Sequence, residues 1–134
     1  MTFSWPIRVY YEDTDAEGVV YYANYLKFME RARTEWLRAL GFEQDDLTQR
    51  LKVVFTVRHV DINYLKPALY NHLLNIETSM SEIGRTSLTF EHNVVLEKGD
   101  DVFCTALIKV VCVRTDNFRP TRVPQEIREK LNGQ

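Results

Sequence analysis

One change of period constrains this chain more than any other feature. Apolar residues first fall at Tyr22, Tyr25, Leu26, Met29, Ala32, Trp36, Leu37 and Leu40, the three-and-four spacing that gathers onto one face of an α-helix. After Val53 the period becomes two and stays so through most of the chain, which is the alternation of β-strands. A helix of about 18 residues, about 27 Å at 1.5 Å per residue, is therefore the only long helix available to cover those strands. Its charged residues Lys27, Glu30, Arg31, Arg33, Glu35 and Arg38 are assigned to its other sides, and Gly41 stands where a C-terminal cap belongs.

The same alternation places the strands. Residues 5–11, WPIRVYY, are aromatic and β-branched, with Pro6 near the start as on an edge strand. Val60, Ile62 and Tyr64 alternate with Asp61 and Asn63 in a strand that ends near Leu65, before Pro67. Leu74, Ile76, Thr78 and Met80 alternate with polar neighbours, a turn falls around Gly84, and Leu88, Phe90, Val94 and Leu96 resume the pattern, which predicts a hairpin. VFCTALIKVVCV is almost continuously apolar, the pattern of a central strand covered on both faces. FEQDDLTQRLK holds a helical turn, and the tail RVPQEIREKLNGQ forms a short helix with Pro124 in its first turn. The expected fold class is α+β, a curved antiparallel sheet wrapped around one helix in a single domain over residues 1–134. The sheet's outer face and edges need covering, which favours a dimer or higher oligomer.

Composition narrows the function classes. Lys and Arg number 17 against 19 Asp and Glu, a net charge of -2, without the basic excess of an electrostatic nucleic-acid binder. No apolar run approaches the roughly 20 residues that cross a bilayer. The start MTFSWPIRVYYEDTD lacks the basic and apolar regions of a secretion signal, so the expected location is the cytoplasm. Cys104 and Cys112 share one strand-like run and lie about 26 Å apart there, beyond the roughly 7 Å that a disulfide spans; both are expected to be buried thiols.

Chemistry concentrates at Glu12, Asp13, Asp15 and Glu17, just before the long helix. Asp13, Asp15, Glu17 and Gly18 match the first positions of a calcium-binding EF-hand loop. The match then fails, because Asn24 stands where the bidentate Glu belongs and the preceding segment reads as strand. A second reading needs one carboxylate only. A helix start carries unpaired N–H groups and a positive dipole end, which stabilise an oxyanion, and a carboxylate beside it can attack a carbonyl or activate water. A third reading has Asp13 or Asp15 merely closing the turn or capping the helix.

Other motifs are weak. His59, His72 and His92 show no metal-ligand spacing, and there is no GxSxG, phosphate-binding loop or dinucleotide fingerprint. Arg114, Arg119 and Arg122 follow the last strand, and Arg85 sits at the hairpin turn; each can meet a phosphate-bearing ligand or simply be solvated.

VYYEDTDAEGVVYYANYLKFMERARTEWL, with VVFTVRHVDINYLKPALY, GRTSLTFEHNVV and VVCV in order behind it, closely resembles the hotdog-fold acyl-CoA thioesterases of the 4-hydroxybenzoyl-CoA thioesterase family, in particular the YbgC branch associated with the Tol-Pal system. The resemblance covers nearly the whole chain. It implies a five-stranded antiparallel sheet around the long helix, homodimers with continuous sheets, often paired into homotetramers, and association with envelope or lipid-synthesis machinery. The implied reaction hydrolyses an acyl-CoA thioester to a free acid and coenzyme A between subunits, with no metal and no cofactor. It carries the catalytic carboxylate onto Asp15, leaves Asp13 a structural role, and carries the oxyanion-binding backbone N–H onto Tyr22. The arginines Arg85, Arg114, Arg119 and Arg122 become candidates for the CoA phosphates. Many YbgC-type proteins have His where this chain has Tyr22, which affects side-chain contacts with the acyl group but not the backbone donor. Two rivals stand beside this: the essential carboxylate on the helix, at Glu30 or Glu35, and a non-catalytic acyl-CoA or acyl-carrier binding module or envelope-complex assembly partner.

Overall fold

The computed structural model describes residues 2–132. Five strands, β1 (Thr2–Arg8), β2 (Val53–Tyr64), β3 (Leu73–Ile83), β4 (Ser87–Leu96) and β5 (Val102–Arg114), form one antiparallel sheet in the order β1-β3-β4-β5-β2. The helix α1 (Asn24–Ala39) packs on one face. Short α2 (Gln44–Asp46), continued by a wider turn over Leu47–Leu51, leads into β2, and α3 (Gln125–Asn132) comes after β5. This is the hotdog arrangement.

The apolar stripe of α1 explains the packing. Phe28, Met29, Ala32 and Trp36 are buried against Ile76, Leu88, Phe90 and Ile108 of the sheet. Each large side chain removed from water there contributes roughly 1.5–3 kcal/mol, so the stripe specifies which face of the sheet turns inward. Pro6 lies in the edge strand β1, where its missing N–H costs no ladder bond on the open side. The hairpin of β3 and β4 turns at Gly84, whose N–H donates to the Ser87 carbonyl at 2.8 Å.

Several boundaries differ from the sequence expectation. β1 ends at Arg8, and Tyr11–Asp13 form a single 3-10 turn, because the acidic segment satisfies its backbone locally and leaves the sheet. The long helix begins at Asn24, so Tyr22 precedes it. β5 is an inner strand but second from the edge, and Leu107 and Lys109 at its middle face outward; only its ends are covered on both faces. Pro124 precedes α3, its carbonyl accepting from Ile127 and Arg128 N–H, and Gly133 and Gln134 of the expected tail helix lie outside the described residues.

The largest correction concerns Arg33. It is 8% exposed and sits inside, because its position four after Met29 and three before Trp36 puts it on the buried face. Its Nη1 donates to His92 Nε2 at 3.0 Å, and His92 Nδ1 lies 3.0 Å from Thr78 Oγ1. A guanidinium only donates, so Nε2 must be the unprotonated nitrogen and Nδ1–H donates to Thr78. Burial, with the Arg33 charge second, pushes the His92 pKa down to about 3, and burial lowers that of Arg33 to about 10. Cys104 and Cys112 are free and buried, and desolvation raises their thiols to about 12 and about 11.

On the far side of the sheet from β1, β2 is an open edge. The middle of this strand is exposed and Val57 is 53% exposed, although it alternates as a half-buried strand should. Among the described residues no helix is long and apolar enough to cross a membrane.

Candidate active site at the start of the long helix

The acidic segment folds into two successive tight turns, and they separate its carboxylates. Asp13 is buried, its Oδ2 accepting the Tyr10 N–H at 2.8 Å and its Oδ1 the Asn24 Nδ2–H at 2.9 Å. Its backbone carbonyl accepts from Tyr21 N–H at 2.9 Å. Asp13 thus ties the turn to the first residue of α1, and both of its oxygens are occupied. That matches the structural role that the resemblance leaves to Asp13.

Asp15 is held differently. Its N–H donates to the Val19 carbonyl and its own carbonyl accepts from Gly18 N–H, closing a turn in which Gly18 takes φ 79°, a left-handed angle that favours glycine. Among the described residues the carboxylate accepts only the Glu17 N–H, at 2.9 Å through Oδ1, and Oδ2 accepts nothing. Asp15 is half-buried, and its charge is one of the influences that raise the pKa of Tyr21, after the neighbouring Tyr22 phenol and burial. Asp15 thus sits in the turn that leads to the segment entering α1.

That segment ends in open donors. Ala23 occupies the N-cap position without a side-chain cap, and the N–H groups of Tyr22 and Ala23 have no acceptor among the described residues. The Tyr21 carbonyl accepts Asn24 N–H at 2.8 Å; it belongs to the same peptide unit as the Tyr22 N–H, so the bond polarises that donor. Beside it runs a groove of about 250 Å³ whose walls include Val20, Tyr22, Tyr25, Tyr64 and Pro67. An electron-poor carbonyl placed there meets open N–H donors at a positive helix end; Asp15 is not among the residues that line the groove and reaches it only from the preceding turn.

The arginines are elsewhere. Arg85, Arg114, Arg119 and Arg122 are all exposed and gather at one end of the sheet, where Arg114 N–H donates to the Arg119 carbonyl and Val123 N–H to the Arg85 carbonyl. Arg114 pairs in register with Val53 at the start of β2, whereas Cys104 pairs with Tyr64 at its end, beside the helix start. Ten residues of strand separate the two ends, about 33 Å. Within one chain these arginines and Asp15 do not meet. Arg114 is also clamped by Asp116 through two hydrogen bonds of 3.1 and 2.8 Å.

On the helix, Glu35 is paired with Arg38, and Glu30 is exposed at grooves along α1 that it shares with Arg33 or Arg31. His59 lies exposed on β2, and His72 Nδ1 accepts the Leu69 N–H at 3.0 Å. Among the described residues no cluster of His, Cys, Asp and Glu could hold a metal ion. Sequence reasoning missed Tyr64, Tyr25 and the Asn24 side chain. Asn24 was visible only as a failed calcium ligand, and the two tyrosines carry no local motif.

Comparison with known proteins identifies the family. The family model of the thioesterase-like superfamily matches residues 9–131. The chain is 42% identical over 126 residues to the acyl-CoA thioesterase YbgC of Haemophilus influenzae, covering 94% of this chain and 91% of that one. A probable thioesterase from Bartonella henselae superposes with a TM-score of 0.87 at 33% identity, covering 92% of this chain and 100% of the other. A 1,4-dihydroxy-2-naphthoyl-CoA thioesterase from Synechocystis gives 0.91 at 19% identity over 98% and 96% of the two chains, a likeness of fold.

Proposed function

The chain belongs to the thioesterase-like superfamily, with the YbgC acyl-CoA thioesterases as its relatives, and is an acyl-CoA thioester hydrolase; we propose that Asp15 is its reacting carboxylate and the Tyr22 N–H its oxyanion donor. The observation that supports this is the division of labour at the acidic turn: Asp13 accepts a hydrogen bond at each oxygen, while among the described residues Asp15 Oδ2 accepts none, in the turn that precedes the uncapped helix start. The thioester carbonyl oxygen accepts from Tyr22 N–H as it becomes an oxyanion. The Asp15 carboxylate then either attacks the carbonyl carbon, expelling the CoA thiolate and leaving an anhydride that water opens, or takes a proton from the water that attacks. Both routes release a carboxylic acid and coenzyme A, and neither calls for a metal or other cofactor.

The open strand β2 supports a homodimer that completes this site. Two copies joined antiparallel along β2 by a two-fold axis would set Tyr64 of one near Val53 of the other. That brings the arginine-rich end of a second copy, paired with Val53, beside Asp15 and Tyr22. On this reading Arg85, Arg114, Arg119 and Arg122 bind the CoA phosphates across the subunit boundary, in a cytoplasmic enzyme.

The test is release of free thiol from CoA thioesters of graded acyl length, by the wild type and by Glu30→Gln. Hydrolysis by both is expected. Ligand binding without hydrolysis would favour a binding module, and loss of activity in Glu30→Gln would move the essential carboxylate onto the helix.

A further inference from the structure

Tyr64 closes β2 and is firmly mounted. It faces Cys104 in the ladder, and the next residue, Leu65, donates its N–H to the Phe103 carbonyl at 2.9 Å. Its ring lies between Tyr22, edge-on at 6.2 Å, and Tyr25 at 5.7 Å. Tyr25 is itself buried, its hydroxyl accepting the Ala68 N–H at 3.1 Å. From this mount the Tyr64 hydroxyl donates to the Tyr22 carbonyl at 3.2 Å, and among the described residues that carbonyl accepts from nothing else.

We propose that Tyr64 is a positioning residue for thioester hydrolysis: its hydroxyl holds the Tyr22 carbonyl, which fixes the following peptide unit with its Ala23 N–H and so pins residue 22, whose own N–H lies in the preceding unit, from its second side. The segment has anchors upstream, where Tyr21 N–H donates to the Asp13 carbonyl and Asn24 N–H to the Tyr21 carbonyl. Downstream of Tyr22, before the first helical turn, Tyr64 supplies the anchor. The Tyr22 side chain, though 60% exposed, rests against the Tyr21 ring at 4.8 Å and the Tyr64 ring, contacts that leave its backbone carbonyl to the Tyr64 hydroxyl. An oxyanion donor works by already pointing where charge will develop, and a donor free to swing must reorganise as the reaction proceeds. The cost therefore falls on the transition state more than on bound substrate, so it should show in kcat and leave KM nearly unchanged.

This inference rests on the Tyr22 N–H being the oxyanion donor, and the experiment separates the two. Tyr64→Phe keeps the ring between Tyr22 and Tyr25 and removes only the hydroxyl. Its kcat on a CoA thioester is expected to fall about tenfold, with KM within about twofold and the melting temperature nearly unmoved. In parallel, the Tyr22 amide of 15N-labelled wild type and variant is followed as a non-hydrolysable ketone analogue, with a methylene in place of the thioester sulfur, is added. A shift in the wild type that weakens in Tyr64→Phe is the expected result. Wild-type kcat in the variant, with or without a lowered melting temperature, would overturn the positioning role while leaving the Tyr22 reading intact. A Tyr22 amide that the analogue does not move in the wild type would overturn that reading, and this inference with it.

Discussion

At its C-terminal end α1 closes with Gly41 N–H on the Arg38 carbonyl at 2.9 Å and Phe42 N–H on the Leu37 carbonyl at 2.8 Å, with Gly41 in the left-handed region at φ 99°. At its N-terminal end Ala23 offers no cap, and Tyr22 and Ala23 N–H have no acceptor among the described residues. Each end starts with four orphan backbone groups, N–H donors at the N-terminus and C=O acceptors at the C-terminus. One end is finished by a Schellman motif that serves stability alone. The other is left with open donors, a few residues after the Asp15 carboxylate, whose Oδ2 accepts no hydrogen bond among the described residues. The positive dipole end is also the open one, so the helix favours negative charge where its donors are unspent.

The contrast can be broken or sharpened by changes along the helix. The largest expected effect lies midway, at His92 beneath Arg33. Its pKa of about 3 in the folded protein stands below the ordinary value of 6.5. Between those pH values the unfolded chain takes up a proton that the native protein refuses, so stability falls as pH drops through that window. From pH 7 to pH 4 this amounts to about 3 kcal/mol. Denaturant unfolding at the two pH values should show His92→Gln losing less stability than the wild type by about that much, since Gln can still accept from Arg33 and donate to Thr78 without titrating. Equal losses would place the acid sensitivity elsewhere.

Next is Asp13, the carboxylate that builds the open end. Asp13→Ala strands the Tyr10 N–H and the Asn24 amide, and is expected to cost about 2 kcal/mol in urea unfolding and to lower activity through a displaced helix start. The smallest effect belongs to the finished end. Gly41→Ala meets no steric contact but must hold a left-handed angle, so a loss of about 1 kcal/mol is expected with kcat per folded molecule unchanged. Lost activity at full folding in Gly41→Ala would erase the functional difference between the two ends.

Much of the fold was legible because two periods were clean. The stripe from Tyr25 to Trp36 and the alternation around Ile76, Phe90 and Ile108 state which faces meet. The order β1-β3-β4-β5-β2 was not, since it depends on pairings between strands far apart in sequence, with bulges near Val57 and Met80 shifting register. Arg33 was misjudged because charge suggested solvent, although its helical spacing pointed inward. At the site, the acidic turn and the nearby helix start could be read directly. Which acid is engaged could not be read from spacing, because Asp13 and Asp15 differ by whether a Tyr10 N–H and an Asn24 amide reach them. Within one chain the arginines lie near one another but a full strand length from Asp15, a separation that spacing along the sequence does not state.

The central claim is that Asp15 reacts while Asp13 only frames the turn. Its most direct test is thiol release by Asp15→Asn, measured on the CoA thioester that the wild type hydrolyses fastest, alongside its melting temperature. The account predicts a loss of about a hundredfold or more in kcat with the melting temperature almost unmoved, because Asn can still accept the Glu17 N–H through its side-chain oxygen. Hydrolysis at the wild-type rate by a folded Asp15→Asn protein would contradict it.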